Sequence, residues 1–268
     1  MQTLEIQSQP GMEKPMDPNT IKANLFLKVI LPHLETLVEL DPAVARLVRG
    51  WNNVIQFEVL NGGPAAHLEF RGGKLTVREG AHSSPTVLFS FNTVKDLVDM
   101  MDGVTKPMPK KGLWHLILLL KFMKLTAALE KTLKPAPEEL RDPARLALTV
   151  TLMLNTAVFG MKQIAELDPA VDPTVHHLAD GAAQFRIMPD GPYAYLEVRN
   201  QTLFPHKGQV ENPLVDLEAK DLQTAYGMLS GELDTMAAIG KGDIVLRGFI
   251  PLFGDLSYIM GRIAEYLQ

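Results

Sequence analysis

Four side chains, Asp172, His176, His177 and Asp180, have the types and spacing of a ligand set. Asp172, His176 and Asp180 stand four residues apart, so on a helix they would share one face. Carboxylates and imidazoles on such a face could hold a divalent cation, and an enzyme could be built on them. Against this, the cluster occurs once in a chain that otherwise repeats itself. His67 and His206 are scattered strand or turn residues. No Ser-His-Asp order, phosphate-cradling glycine loop or pair of acids in an apolar setting stands out. There is no cysteine, which removes disulfides, thiolate nucleophiles and thiolate-bound metals. We therefore expect no catalytic group, no metal and no cofactor.

The elements that would have to position any such group are written twice. Residues 56–103 and 184–231 align without a gap at an offset of 128, with fourteen identities in forty-eight positions. These include Gln56/Gln184, Phe57/Phe185, Leu68/Leu196, Arg71/Arg199 and Gly103/Gly231. An ungapped match of that length points to a duplicated domain rather than a short-period solenoid. The motif Glu-Leu-Asp-Pro-Ala-Val recurs as well, from Glu39 and from Glu166, and Asp-Pro reads as an N-cap followed by the first helical residue. Inside the repeat, Ile55, Phe57 and Val59, then Ala66, Leu68 and Phe70, alternate with polar residues, the grammar of strands with one buried face. Asn61-Gly62-Gly63-Pro64 and Gly72-Gly73 are turns. Glu69/Glu197 and Arg71/Arg199 fall on the opposite phase and read as solvated cross-strand partners. Residues 92–101 and 220–229 switch to helical period, and Gly103 and Gly231 stop them. Beyond those glycines the copies diverge. Amphipathic helices at 122–133 and 255–267 close the two copies, and apolar helices at 21–40 and 144–165 open them, the first kinked or divided by Pro32. This gives a tail at 1–20, a first domain at 21–134, a linker at 135–143 and a second domain at 144–268.

Bulk properties fit this division. With 46% hydrophobic and 21% charged residues the composition is that of a soluble globular protein. The net charge of −5 gives no general affinity for nucleic acid. Residues 1–134 carry 16 Lys+Arg against 13 Asp+Glu, and residues 135–268 carry 10 against 18. That asymmetry suggests complementary docking of the halves or, less simply, a first half that faces an anionic surface. No run reaches about 18 uninterrupted apolar residues, and the first residues lack a signal-peptide pattern. Neither a spanning helix nor secretion is expected, and the cytoplasm is the default.

One unit reads as helix, helix, three-stranded meander, fourth strand, helix, fifth strand and closing helix. That order resembles the sterol carrier protein 2 (SCP2) family. The likeness is carried by the glycine-rich meander of residues 61–80, the Pro85-led strand Val87-Leu88-Phe89-Ser90-Phe91 running into the helix before Gly103, and the closing-helix residues Phe122-Met123-Lys124-Leu125. In the second copy it is carried by Gly242-Asp243-Ile244-Val245-Leu246-Arg247-Gly248, which looks like the family's fifth strand and the glycine after it. The first copy departs from the pattern there: it lacks that glycine and has Leu118-Leu119-Leu120 instead.

The resemblance implies an α+β fold of two tandem units, each a five-stranded, mostly antiparallel sheet covered on one side by helices. It implies a noncatalytic lipid-binding or lipid-transfer protein that holds a fatty acid, acyl-CoA, sterol or similar lipid in an apolar tunnel gated by the closing helix. The residues placed to line such a tunnel are Phe57, Phe89, Leu97, Met101, Leu116, Leu119, Phe122 and Met123 in the first unit. In the second they are Phe185, Leu217, Tyr226, Leu246, Ile250, Leu252, Phe253, Leu256, Ile259 and Met260. For any one of them plain core packing is the competing reading. Partners expected are the lipid, a transient membrane contact through the basic loop of residues 106–111 beside the apolar run 113–120, and a protein partner or second copy. The alternative is a structural or accessory module for protein assembly, for example in lipid-quinone metabolism, with its tunnels filled by side chains.

Overall fold

The computed structural model describes residues 17–267, so most of the expected tail lies outside the described residues. The chain folds into two mixed sheets and ten α-helices among those residues. The first sheet holds β1 (Asn53–Val59), β2 (Ala65–Arg71), β3 (Lys74–Glu79) and β4 (Val87–Phe91), in the order β3-β2-β1-β4. The second holds β5 (Gly181–Ile187), β6 (Tyr193–Arg199), β7 (Thr202–Lys207), β8 (Val215–Ala219) and β9 (Ile244–Gly248), in the order β7-β6-β5-β8-β9. The meanders are antiparallel, while β4 and β8 run parallel to β1 and β5. Phe57 lies opposite Ala66 and beside Phe89, and Phe185 lies opposite Ala194 and beside Leu217. Every one of these pairs obeys the offset of 128, so the repeat preserves register as well as residues. The β2–β3 turn is the two-residue type with both central φ angles positive, supplied by Gly72 and Gly73.

The helices are α1 (Pro18–Leu25), α2 (His33–Leu40), α3 (Pro42–Val48), α4 (Val94–Met101), α5 (Leu116–Leu133), α6 (Pro143–Leu167), α7 (Asp172–Val175), α8 (Leu222–Ser230), α9 (Thr235–Lys241) and α10 (Ile250–Leu267). Pro32 divides the opening helix as expected. It has no N–H to continue the ladder, and the chain widens into a π-helical turn, Phe26–Ile30, closed by Leu31 N–H donating to Phe26 O at 2.8 Å. The helix starts earlier than the sequence suggested, at Pro18, with Asp17 as its cap. Its counterpart α6 lacks an internal proline and runs unbroken for 25 residues. The Asp-Pro starts are as read: Asp41 accepts from Ala43 N–H at 2.8 Å and Asp168 from Ala170 N–H at 3.0 Å. Glu69 pairs with Arg71 and Glu197 with Arg199 along the same strand, and each glutamate also reaches across to the neighbouring strand, Glu69 to Arg78 and Glu197 to His206, both at 3.9 Å.

Two expectations need correction. The first sheet has four strands, not five. Where the second unit builds α9 and β9, the first has six residues fewer between the helix-stop glycine and the closing helix, and only an isolated bridge between Leu88 and Lys111 remains. That bridge sits where Asp216 pairs with Arg247 in the second sheet, since 88 and 216 differ by the offset. The glycine expected after the fifth strand is present in the first unit as Gly112. It has φ +87, and a Cβ on it would run into the carbonyl oxygen of Thr86. Gly248 has φ +94 and abuts the carbonyl of Leu214, the repeat-mate of Thr86. The apolar run 113–120 then becomes helix, because its leucines favour helix and only Ile117 is β-branched. As a result, α5 begins at Leu116 rather than at 122, and α10 at Ile250 rather than at 255.

The opening helices are shared between the units. Ile21, Leu25 and Val29 belong to the second unit's core, whereas Ala23, Leu27 and Leu31 belong to the first. Reciprocally, α6 gives Leu146, Val150 and Leu154 to the second core and Leu148 and Leu152 to the first. By length and composition alone α6 could cross a membrane, contrary to the expectation from uninterrupted runs, yet here much of it is buried between the sheets. Among the described residues two ion pairs join residues 1–134 to residues 135–268: Lys131 with Glu139 at 2.6 Å has the expected polarity, and Arg145 with Asp41 at 3.3 Å has the reverse.

Candidate functional site

Each unit encloses an apolar wedge between its sheet and its closing helix. In the first, β1 and β4 are neighbours in parallel register, which stacks Phe57 on Phe89 with ring centroids 4.9 Å apart. Phe122 on α5 comes to 6.1 Å of Phe57, and Phe26 from the π-turn meets it edge-on at 6.3 Å. Leu97 on α4 is fully buried, and Met101 and Leu119 pack at the margin. The buried stripe of α5 is Leu118, Phe122, Leu125 and Leu129, at helical spacing, with Phe122 reaching the sheet and the helix packed on α2, α3 and α6. Leu116 and Met123 fall off that stripe and point outward, 60% and 61% exposed.

In the second unit Phe185 and Leu217 are neighbours on β5 and β8, with Leu246 of β9 alongside Leu217. The stripe of α10 is Leu252, Leu256, Ile259 and Ile263, the same spacing as on α5. Tyr226, Phe253 and Met260 pack against this core, and Ile250 is exposed at the helix start. The structure thus brings together, in two groups, the lining residues expected from sequence, except for Leu116, Met123 and Ile250. An environment of aromatic rings, leucines and methionines suits an apolar chain.

The polar groups inside these cores were not singled out from sequence. Asn155 and Gln163 on α6 are buried, and Asn155 Nδ2 and Gln163 Oε1 have no hydrogen-bond partner. Ser90 Oγ on β4 is buried and unpaired too. A helix read only for its apolar period gives no warning of such groups. Between the units, His33 Nε2 lies 2.7 Å from Thr156 Oγ1, whose hydroxyl donates to Leu152 O at 2.9 Å, so the ring nitrogen carries the proton toward Thr156. Burial, helped by Lys207, pushes the His33 pKa down to about 3.

The two closing helices are held differently. Arg262 of α10 donates to buried Asp168 at 2.8 Å, and Tyr258 OH donates to Ala170 O at 3.4 Å. The repeat-mate of Asp168 is Asp41, but its cationic partner is Arg145 of α6; α5 is held instead at its last turn, by Lys131 paired with Glu139 at 2.6 Å and by Thr149 Oγ1 donating to Thr132 O at 3.1 Å. Two clefts of about 540 Å³ open elsewhere on the surface, one between the β1–β2 turn and the start of α4, one beside Arg186. None of the apolar candidates lines them.

The Asp172–Asp180 cluster is dispersed. Its helix, α7, has only four residues, so the shared face never forms. His176 Nδ1 lies 2.7 Å from Asp172 O and His177 Nδ1 2.6 Å from Pro173 O, while Asp180 accepts from Asn200 N–H at 2.8 Å. Among the described residues no three His, Asp or Glu side chains gather as a metal set.

Residues 34–110 match the SCP-2 sterol transfer family. No curated protein matches the chain. Among solved structures the chain is similar to sterol carrier protein 2 like 2 from Aedes aegypti, at 20% identity over 41% of this chain and 97% of that one, with a TM-score of 0.31. It is similar to Aedes aegypti sterol carrier protein 2, solved as a complex with palmitate, at 15% identity over 41% and 94%, with a TM-score of 0.31. A UbiJ-SCP2 ubiquinone synthesis protein gives 11% over 38% and 88%, with a TM-score of 0.32. The stretch that matches the SCP-2 sterol transfer family runs from α2 through β4 and α4 and so includes the sheet under the aromatic wedge.

Proposed function

We propose that this protein is a noncatalytic lipid carrier of two tandem units, each able to hold a fatty acid, acyl-CoA, sterol or similar lipid between its sheet and its closing helix. The observation that carries this reading is the family match over residues 34–110, the segment that supplies Phe57, Phe89 and Leu97 to the wedge. A ligand enters when the closing helix swings off its stripe. The helix α5 is the easier gate, because α10 is bolted to Asp168 through Arg262.

A fluorescent fatty acid titrated into the full chain should bind saturably. Phe89→Trp in the first wedge and Leu217→Trp in the second should each overfill one site, at a cost of about 1–3 kcal/mol in stability, and remove that site's share of binding. Absence of saturable binding to the wild type refutes the carrier reading. Binding untouched by both variants places the ligand outside the wedges.

A second reading is favoured by one observation. Phe57, Phe89 and Phe122 already pack on one another and are nearly fully buried. A wedge filled by its own side chains suits an accessory module that serves protein assembly, for example in lipid-quinone metabolism. The same titration separates the two.

A further inference from the structure

The sequence between Val104 and Leu129 contains five lysines and no acidic residue, in a chain whose net charge is −5. The structure puts this stretch at the surface. Trp114 is 78% exposed and Ile117 74%, and Leu113, Leu116, Leu120 and Met123 are exposed beside them. Leu116, Ile117, Leu120 and Met123 recur at helical spacing on the face of α5 opposite its buried stripe, and Leu113 lies in the loop just before it. Lys106, Lys110, Lys111, Lys121 and Lys124 are all exposed on the same segment. An apolar face of this size, carrying a tryptophan and edged by cations, is unusual on a free surface. It has no equivalent on α10, which carries Asp255 and Glu265 and whose exposed apolar residues are fewer.

We propose that the outer face of α5, with the loop that precedes it, docks on an anionic lipid membrane. The apolar residues and Trp114 enter the interface while the lysines reach the headgroups on their flexible stems. The remainder of the chain, net −10, is repelled by the same membrane, which fixes the orientation. Charge also argues against a second copy as the occupant. A two-fold contact sets a patch against itself, and five lysines would face five lysines. The docking surface stands independently of the lipid-carrier reading, but it adds one thing to it: the same helix carries the membrane face outside and the wedge seal, Phe122, inside.

Trp114 provides the test, because the other tryptophan, Trp51, is only 5% exposed and should not respond. The full chain is mixed with vesicles of phosphatidylcholine alone and of an equal mixture of phosphatidylcholine and phosphatidylglycerol. Emission should shift to the blue and the protein should sediment with the mixed vesicles, with both effects reversed by high salt. The triple variant Lys106→Glu, Lys110→Glu and Lys121→Glu should weaken binding more than about a hundredfold, given the usual contribution of each lysine near an anionic surface. Trp114→Phe should still sediment but lose the shift. Wild-type protein that neither sediments nor shifts overturns the proposal. So does concentration-dependent self-association that Ile117→Ser abolishes, because a second copy would then cover the face.

Discussion

At position 33 an imidazole lies between α2 and α6 with a hydroxyl, not water, against its Nε2. Its pKa, near 6.5 in an unfolded chain, is about 3 in the folded one. Between those values the unfolded chain binds a proton that the folded chain does not, so stability is lost as pH falls below about 6.5, by up to about 1.4 kcal/mol per pH unit. Urea unfolding from pH 7.5 down to pH 5 should show that slope, and His33→Gln should flatten it. Gly112 and Gly248 occupy equivalent places where a left-handed φ meets a close carbonyl. Alanine at either should cost about 2 kcal/mol or more in equilibrium unfolding. The repeated pair Gln56/Gln184 has a structural role: Gln56 Oε1 accepts from His82 N–H at 2.7 Å and Gln184 Oε1 from Val210 N–H at 2.8 Å, pinning the loop after the meander in each unit.

Among the elements, the closing helices show what a duplicated fold can vary. Their inner stripes have identical spacing, yet α10 is tied to a buried carboxylate, Asp168, through Arg262, whereas α5 is tied only at its last turn, through Lys131 and Thr132. Replacing Arg262 by Met leaves Asp168 buried without its partner and should cost about 3–5 kcal/mol. In stopped-flow release of a fluorescent fatty acid, the second unit should then exchange as fast as the first. Period-two alternation made the strands legible in the sequence, down to Phe57/Phe185 on the inner face. The start of α5 was not legible, because the offset between copies drifts from 128 at Thr86/Leu214 to 136 at Gly112/Gly248. The faces of α5 were only half legible. Its first half is apolar all round, and period alone cannot say that Leu118 points in while Leu116 and Met123 point out.

At the scale of the whole molecule the two units are not independent. Helix α1 buries one face in each core and α6 does the same, so each half completes the other. Sequence periodicity marked these helices as strongly apolar but could not assign their faces to partners. Chains 1–134 and 135–268 made separately should each expose these helices, bind a hydrophobic dye and gain stability on mixing. Leu152→Ala, which lies in the second half but reaches the first unit's core, should destabilise the whole protein by about 2–5 kcal/mol in one transition.

The central claim is that the wedges hold lipid, and native mass spectrometry of the full chain, purified without detergent, tests it most directly. We predict an added mass that activation releases and that solvent extraction identifies as a fatty acid, acyl-CoA, sterol or related lipid. A bare protein mass, with no uptake of any of these at micromolar concentrations, would contradict the account.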